Sequence, residues 1–508
     1  MIYCLFYLFL LKFCLNEVIS KMLVENLIEL ANNIQKKKTE GQTIEVKSAN
    51  KGCPKRLYDT LSSFSNQDTG GIILFGLDET QDFKIVGVYD LHDLQKKVTE
   101  QCLQMEPPVR AVFTFAEIQG YDICSAEIPA IDLAERPCYY KGIGKLKGSY
   151  IRVGDADLPM TDYELYSFEA FRKHLHDDER PIERANIQSL DLVSVEKYVL
   201  NKRIDRPKFA QLPLEIAYEM LNILRNDMPT LASLMNFGIY PQGYLPQMGI
   251  TAIVVPGTEI GITTDNDIRF LDNQRIEGNI SSMLLEATAF CKRNMKTKTI
   301  IDKKTGQRKD RTEYPITAIR EAILNALIHR DYSIYTEGTP IQINIFTNRI
   351  EIHSPGNLYG RMTVDQLGIA KPDLRNPALA VMAEALTDVE NRYSGIPTMR
   401  NEMIAFGLPE PVFENRRNEF VVTFFNDSDN RNIYINEENN FTIEDKLLSY
   451  CKNPRTRAEI SNYLGMKTIF YTMSKYIKPL IEKGKLRMTI PDKPKSKNQR
   501  YYSISDDK

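Results

Sequence analysis

Apolar residues recur along this chain at two periods, and each change of period marks an element. Residues 23–34 repeat every three to four positions and predict a helix, whereas 43–46 alternate and predict a short strand. A helix over 54–64, a fully apolar strand over 72–75 and a strand over 84–88 come next. Residues 91–103 then read as a helix, 111–115 and 121–128 as an antiparallel pair, 149–154 as a strand and 162–174 as a helix. Residues 22–180 thus predict an α/β unit.

From 181 to 312 the pattern is a connecting α/β region. Helices are expected over 192–201 and 214–226, a helix or strand over 229–238, a strand over 248–255 and an amphipathic helix over 279–294. The polar, basic stretch 296–311 reads as a mobile hairpin or lid, or as a solvated loop. Residues 313–426 predict a helix layer on a mixed sheet. Its helix over 319–331 buries Ile319, Ile323, Leu324, Leu327 and Ile328, and lines up Glu321, Asn325 and His329 at steps of four. Pro315 suits its first turn. Strands over 341–346 and 349–353, a loop over 361–373 and a helix over 378–386 complete this unit. Beyond an acidic, Asn-rich linker at 427–441, residues 442–508 predict three helices and a hairpin around a basic tip, the order of a winged helix.

At 508 residues the chain has room for about three domains. A net charge of −2 and 43% hydrophobic residues are those of an ordinary soluble protein, so any affinity for nucleic acid must be local. Residues 446–500 hold 14 Lys and Arg against 3 Asp and Glu, which suits phosphate contact. Eight scattered cysteines without paired ligand spacing indicate reduced thiols in a cytoplasmic protein, with no zinc, haem or disulfide framework expected. Residues 1–15 are apolar around Lys12, too short to span a membrane and without a basic leader or cleavage site. The expectation is that Met22 is the start and 1–21 an extension of the reading frame; a signal or anchor is the alternative.

Two stretches concentrate chemistry. In the first unit, Glu45 and Lys47 alternate with Ile44 and Val46, while Gly70-Gly71 frees backbone N–H groups for a phosphate or a tight turn. With Glu40, Phe64-Ser-Asn66, Gly76-Leu-Asp78, Arg136-Pro137, Tyr139-Tyr140 and Tyr150-Ile-Arg-Val-Gly154, the ordered set resembles the Schlafen AlbA domain over roughly 37–155. That resemblance implies nucleic-acid binding, or tRNA and rRNA cleavage by two Glu and one Asp, here Glu40, Glu45 and Asp78, around a divalent metal. Lys47, Lys51, Lys55, Arg56 and Arg152 are the expected phosphate contacts, and Tyr139 and Tyr140 the expected stacking pair. A surface ion pair between Glu45 and Lys47 is the plainer alternative.

In the third unit, an amide and a carboxylate one turn apart suit a nucleotide site built on Mg²⁺, where the amide oxygen takes the hard cation and the carboxylate holds a water. With 350–356, Arg375-Asn-Pro377, 394–399 and 407–409, the helix resembles the N-box helix of the GHKL ATPase fold, in the form found in Schlafen AlbA-type proteins with a RecG-like C-terminal region. The resemblance implies that ATP and Mg²⁺ are cofactors, Glu321 activates water, Asn325 ligates Mg²⁺, and Gly356 and Gly395 line the nucleotide. Where such sites carry an adenine-reading Asp, this chain has His353-Ser354-Pro355-Gly356. A catalytically silent domain is the alternative. In the winged helix, Thr468, Tyr471 and Lys475 are expected in a DNA groove and Lys493, Lys495 and Lys497 on phosphates.

The sequence therefore predicts an α/β (α+β) multidomain protein: an AlbA-type unit, a GHKL-like two-layer sandwich and a C-terminal winged helix. Its expected role is that of a nucleic-acid-binding regulator of transcription, with DNA or RNA as partner, no membrane, and self-association left open. A metal-dependent endoribonuclease and a pure interaction scaffold are the alternatives.

Overall fold

The structure is a computed structural model that describes residues 22–263, 267–301, 308–387, 394–427, 447–448, 450–451, 454–463, 469–491, 496 and 499–503. The predicted extension at 1–21 and nearly all of the linker at 427–441 lie outside them.

The first unit is a four-stranded sheet between helices. Its elements are α1 (Val24–Lys37), β1 (Ile44–Lys47), α2 (Tyr58–Asn66), β2 (Gly71–Phe75), β3 (Leu77–Asp78), α3 (Leu91–Leu103), β4 (Val112–Ile118) and β5 (Tyr121–Ile128). The sheet order is β1-β2-β5-β4; β1 and β2 run parallel, with Glu45 opposite Ile73, and the other pairs are antiparallel. Alternation along β2 decides the layers. Leu74 joins Leu27, Ala31 and Ile34 of α1 on one face, while Ile73 and Phe75 join Leu61 and Phe64 of α2 and Leu94 and Val98 of α3 on the other. Helix α1 carries Glu25 in its first turn and Lys36 and Lys37 in its last, matching the helix dipole at both ends.

A hairpin, β6 (Tyr150–Val153) and β7 (Ala156–Pro159), leads into α4 (Asp162–Lys173). Thr161 and Glu164 close a reciprocal capping box at the start of α4.

The connecting region is not a body of its own. Helices α5 (Leu192–Ile204) and α6 (Leu231–Phe237), strands β8 (Ile250–Val254) and β9 (Asp272–Ile276) and helix α7 (Ile280–Asn294) share one hydrophobic core with the third unit, reaching from Ile182 to Phe424. The later elements are the hairpin β10 (Thr297–Ile301) and β11 (Arg308–Thr312), α8 (Ile316–His329), β12 (Ile341–Ile345), β13 (Arg349–Pro355), α9 (Pro377–Thr387), α10 (Gly395–Ala405), β14 (Val412–Arg416) and β15 (Glu419–Phe425). They complete a six-stranded sheet in the order β9-β8-β12-β13-β15-β14, with β8 and β12 parallel. The boundary expected at 312/313 is therefore corrected: it would cut this sheet in two. Pro315 is likewise corrected to the residue before the first turn of α8. The predicted helix over 214–226 ends at Met220, and the chain turns back through a short hairpin instead.

In the last unit most of the helix expected over 443–451 and the basic tip of the hairpin lie outside the described residues, and the elements that are described follow the expected order. Helices Arg457–Tyr463 and Ile469–Thr472, continued helically to Glu482, precede strands Leu486–Met488 and Arg500–Ser503, around a core that includes Leu447, Ile460, Ile477 and Tyr501. Among the described residues, no helix is long and apolar enough to cross a membrane.

Candidate nucleotide cleft and carboxylate cluster

Helix α8 packs its apolar face on the sheet and turns Glu321, Asn325 and His329 into a cleft of about 180 Å³. Gly356, at the end of β13, and Gly395, at the start of α10, line the same cleft. Residues up to 74 positions apart in sequence (321 to 395) thus meet at one site. The glycines are sterically required. A Cβ at Gly395 would overlap the Glu321 carboxylate and lie 2.8 Å from Asn325 Nδ2, and one at Gly356 would lie 2.6 Å from Asp331 Cβ.

Asn325 hydrogen-bonds the Glu321 side chain. Burial raises the pKa of Glu321, opposed by the Arg320 charge and by this bond. His329 is open to the cleft yet surrounded by protein; that desolvation and the Arg375 charge push its pKa down to about 4. It is a neutral imidazole at ordinary pH.

Beyond α8 the polar groups are tightly held. Arg330 is buried and donates to the carbonyls of Asp331, Thr336 and Thr339. Asp331 pairs with Arg375, accepts from Tyr163 Oη (2.7 Å) and from the Ser333 N–H (2.8 Å), and is held below the usual carboxylate range although burial works against its charge. Arg375 also donates to the Asn357 carbonyl (2.8 Å). Tyr163 belongs to α4, so the helix that closes the first unit is bonded to the wall of the cleft. Further bonds tie the same stretch down: Glu164 accepts from Nε and Nη2 of Arg417 (2.8 and 3.0 Å), His176 Nδ1 donates to the Arg375 carbonyl (3.1 Å), and Asp178 accepts from the Leu379 N–H (2.8 Å). On the far face of the sheet, burial opposes the charge of His353, but hydrogen bonds to Glu351 and Glu419 outweigh it and raise its pKa to about 9.

In the first unit, Arg152 is the hub. Its guanidinium donates to Glu45 (2.8 Å) and Asp157 (3.0 Å), and to the carbonyls of Ile44 (2.9 Å) and Gly41 (3.3 Å). Asp157 also accepts from Thr60 (2.6 Å) and Ser63 (2.5 Å), and Glu45 pairs with Lys47. Glu40 accepts from the Val46 N–H (2.8 Å); burial, then the charge of Glu45, raise its pKa to about 8.

Three family models match the chain. The Schlafen AlbA_2 model covers residues 40–161, the HATPase_c_4 model of the recG DNA helicase C-terminal region covers 338–424, and the C-terminal domain of Fic-like proteins (filamentation induced by cAMP) covers 445–502. The resemblance to Schlafen AlbA-type proteins holds. Among solved structures, the DIP2311 protein of Corynebacterium diphtheriae is 18% identical over 91% of this chain and 93% of its own, at a TM-score of 0.38. The N-terminal domain of a RecG-related protein of Nitrosomonas europaea is 23% identical over 27% and 93%, at 0.22, and a Fic family protein of Desulfovibrio desulfuricans is 11% identical over 58% and 68%, at 0.13. No curated protein matches.

Within the AlbA_2 region the expected site is only partly assembled. Glu40 and Glu45 sit together, but Asp78 turns away to accept from Thr80 (3.0 and 2.7 Å) and Gln81 (2.8 Å). The charge that reaches Glu40 and Lys47 is that of its neighbour Glu79, a residue the motif does not single out. Among the described residues, no group of three or more His, Cys, Asp or Glu is placed to hold a metal ion. Arg152 is also corrected: its side chain is fully buried and organises carboxylates, so it cannot meet a phosphate. Lys55 and Arg56 are exposed, with Arg56 over the Tyr58 ring, and Tyr140 stacks on Tyr58 at 4.4 Å. Glu321 and Asn325, which precede the residues matched by the recG-type model, do converge with Gly356 and Gly395 inside them. Of the winged-helix candidates, Tyr471 and Lys475 fall on the helical run from Ile469, while Thr468, Lys493, Lys495 and Lys497 lie outside the described residues.

Proposed function

We propose that this protein is a nucleic-acid-binding regulator, acting on transcription, whose recG-type cleft takes ATP with Mg²⁺ and reports its occupancy to the AlbA_2 region. The observation that carries the reading is the meeting of Glu321, Asn325, Gly356 and Gly395 at one cleft. The donor set fits the cofactor, because Mg²⁺ binds through one or two protein oxygens together with phosphates and waters. Asn325 would hold the ion, Glu321 would orient a water and accept its proton, and the start of α10 would present backbone N–H groups to phosphate. Bound Mg²⁺ would supply neutralisation of the phosphate charge.

The route to the AlbA_2 region runs from the cleft residue Arg375 through Asp331 to Tyr163 at the start of α4. Nucleotide moves this equilibrium only if the two arrangements bind it with different affinity. Exposed Lys55 and Arg56 and the basic C-terminal unit are the surfaces for DNA or RNA. Calorimetry on the full chain tests the reading: about micromolar Mg²⁺-dependent ATP binding is expected, lost in Asn325→Ala, with salt-dependent DNA retention altered by ATP. A folded protein that binds no nucleotide would overturn it.

The endoribonuclease reading keeps one observation in its favour, the adjacency of Glu40 and Glu45. RNA cleavage dependent on Mg²⁺ or Mn²⁺ and lost in Glu45→Ala would establish it.

A further inference from the structure

The cleft has two polar ends. Glu321, Asn325 and His329 lie on one line of α8, and eight residues of helix separate the first from the last by about 12 Å. That is the reach over which a nucleoside triphosphate extends. Around Glu321 and Asn325 the surroundings suit phosphate and cation. The charge of Arg375 reaches His329, and Arg375 is bonded to the Asn357 carbonyl and lies over the Tyr359 ring, so these three residues of the lining mark the His329 end.

The His329 end offers no free cation among the described residues. Arg375 is committed to Asp331 and to the Asn357 carbonyl, and its guanidinium lies over the Tyr359 ring at 5.1 Å. Asp331 is committed in turn to Arg375, Tyr163 and Ser333. An anion arriving here would find Arg375, the one Lys or Arg among the described lining residues, already neutralised.

What the end does offer is unmet hydrogen bonding. No described residue hydrogen-bonds the ring of His329, which is exposed to the cleft, and a neutral imidazole presents one donor and one acceptor. Below it, Asn357 Oδ1 and Arg375 Nε are buried without partners. Unpaired polar groups between apolar and aromatic walls favour a flat, uncharged ligand whose edge carries both donors and acceptors. A heteroaromatic nucleobase has that chemistry; a phosphate, a sugar acid or an aliphatic chain does not.

We infer that His329 is the base-reading residue of the cleft: a nucleoside triphosphate lies along α8 with its phosphates at Glu321, Asn325 and Gly395 and the edge of its base on the His329 imidazole. This rests on the nucleotide reading and adds to it which end holds the base and which side chain sets the preference.

The test is calorimetry on the full chain with ATP, GTP, UTP and tripolyphosphate, each with Mg²⁺, for the wild type, His329→Ala and His329→Asn. The wild type should rank the bases and bind the preferred one about tenfold or more tighter than tripolyphosphate, since one well-placed hydrogen bond is worth about that factor. His329→Ala should bring the three nucleotides within about threefold of one another and leave tripolyphosphate unchanged; His329→Asn, which keeps a donor and an acceptor, should restore part of the ranking. A ranking that survives His329→Ala overturns the inference, as does an equal loss for tripolyphosphate. Wild type that binds tripolyphosphate as well as any nucleotide sinks the base end alone, whereas wild type that binds neither sinks the nucleotide reading itself. His329 is exposed to the cleft, so both variants should fold, and their thermal midpoints verify it.

Discussion

The carboxylate cluster of the AlbA_2 region and the cleft along α8 use polar side chains in opposite ways. In the cluster, Glu45, Asp157, Lys47 and Arg152 are bonded to one another, and the central guanidinium has no exposed surface. In the cleft, Glu321 and Asn325 are half-buried and His329 is open, while the strong ion pair, Asp331 with Arg375, is kept in the wall. A network closed on itself holds a fold in register; groups left open beside one are available to a ligand. Composition does not distinguish the two, since both contain acids and arginine.

The sharpest way to break this contrast is to remove its central groups. Arg152→Ala leaves Glu45 and Asp157 buried without their cation, and should cost about 3–5 kcal/mol in denaturant unfolding. Asn325→Ala should cost less than about 1 kcal/mol while removing Mg²⁺-nucleotide binding. Equal losses of stability would mean that the cleft is as closed as the cluster. Gly395→Val is the steric counterpart: its side chain must displace the Glu321 carboxylate, so nucleotide affinity should fall at least about tenfold by calorimetry.

A smaller effect is expected from pH. Glu40 titrates near 8 in the folded protein against 4.5 as its ordinary value, so between these the native state keeps a proton that the unfolded chain releases. Stability from this group is therefore fully present below 4.5 and falls as pH rises through 8, by about 1 kcal/mol between pH 7 and 9. His353, raised to about 9, is lost in the same direction, so the difference between wild type and Glu40→Gln isolates the share of Glu40. Equal pH slopes in the two proteins would show that Glu40 is not held protonated. Smallest is Tyr163→Phe, which deletes one hydrogen bond to Asp331 worth about 0.5–1.5 kcal/mol. It should weaken the effect of ATP on DNA retention and leave ATP binding itself in place.

Much of this is legible in local sequence. The periodicity places α1, α3, β5 and α8 within a few residues, and steps of four along α8 put Glu321, Asn325 and His329 on one line before any tertiary contact is known. What local pattern cannot carry is pairing over distance. Strand β8 belongs beside β12, some ninety positions later (250 to 341), and nothing in either strand announces the other. Arg152 reads as a surface cation because arginine usually is one; only the approach of Glu45 from 107 residues away buries it. Asp78 and Glu79 are adjacent acids, and the choice between them is made by a single turn in which Asp78 caps Thr80.

The shared sheet also has a consequence for synthesis. The four-stranded sheet of the first unit is complete once residue 128 has been made and its β6–β7 hairpin by residue 159, so that part can fold while the ribosome is still at work. The second unit has no such option. Strand β8 must wait until residues 341–345 emerge to form its parallel pair, and β13 must then wait for β15, more than sixty residues further on (355 to 419). During that interval β8 has β9 as its one available partner, and Ile250, Ala252 and Val254, all buried in the finished protein, lack the strand that completes their other edge. A slow stretch of translation past residue 254 would lengthen that exposure, and the nascent chain there is the segment for which a chaperone would matter most.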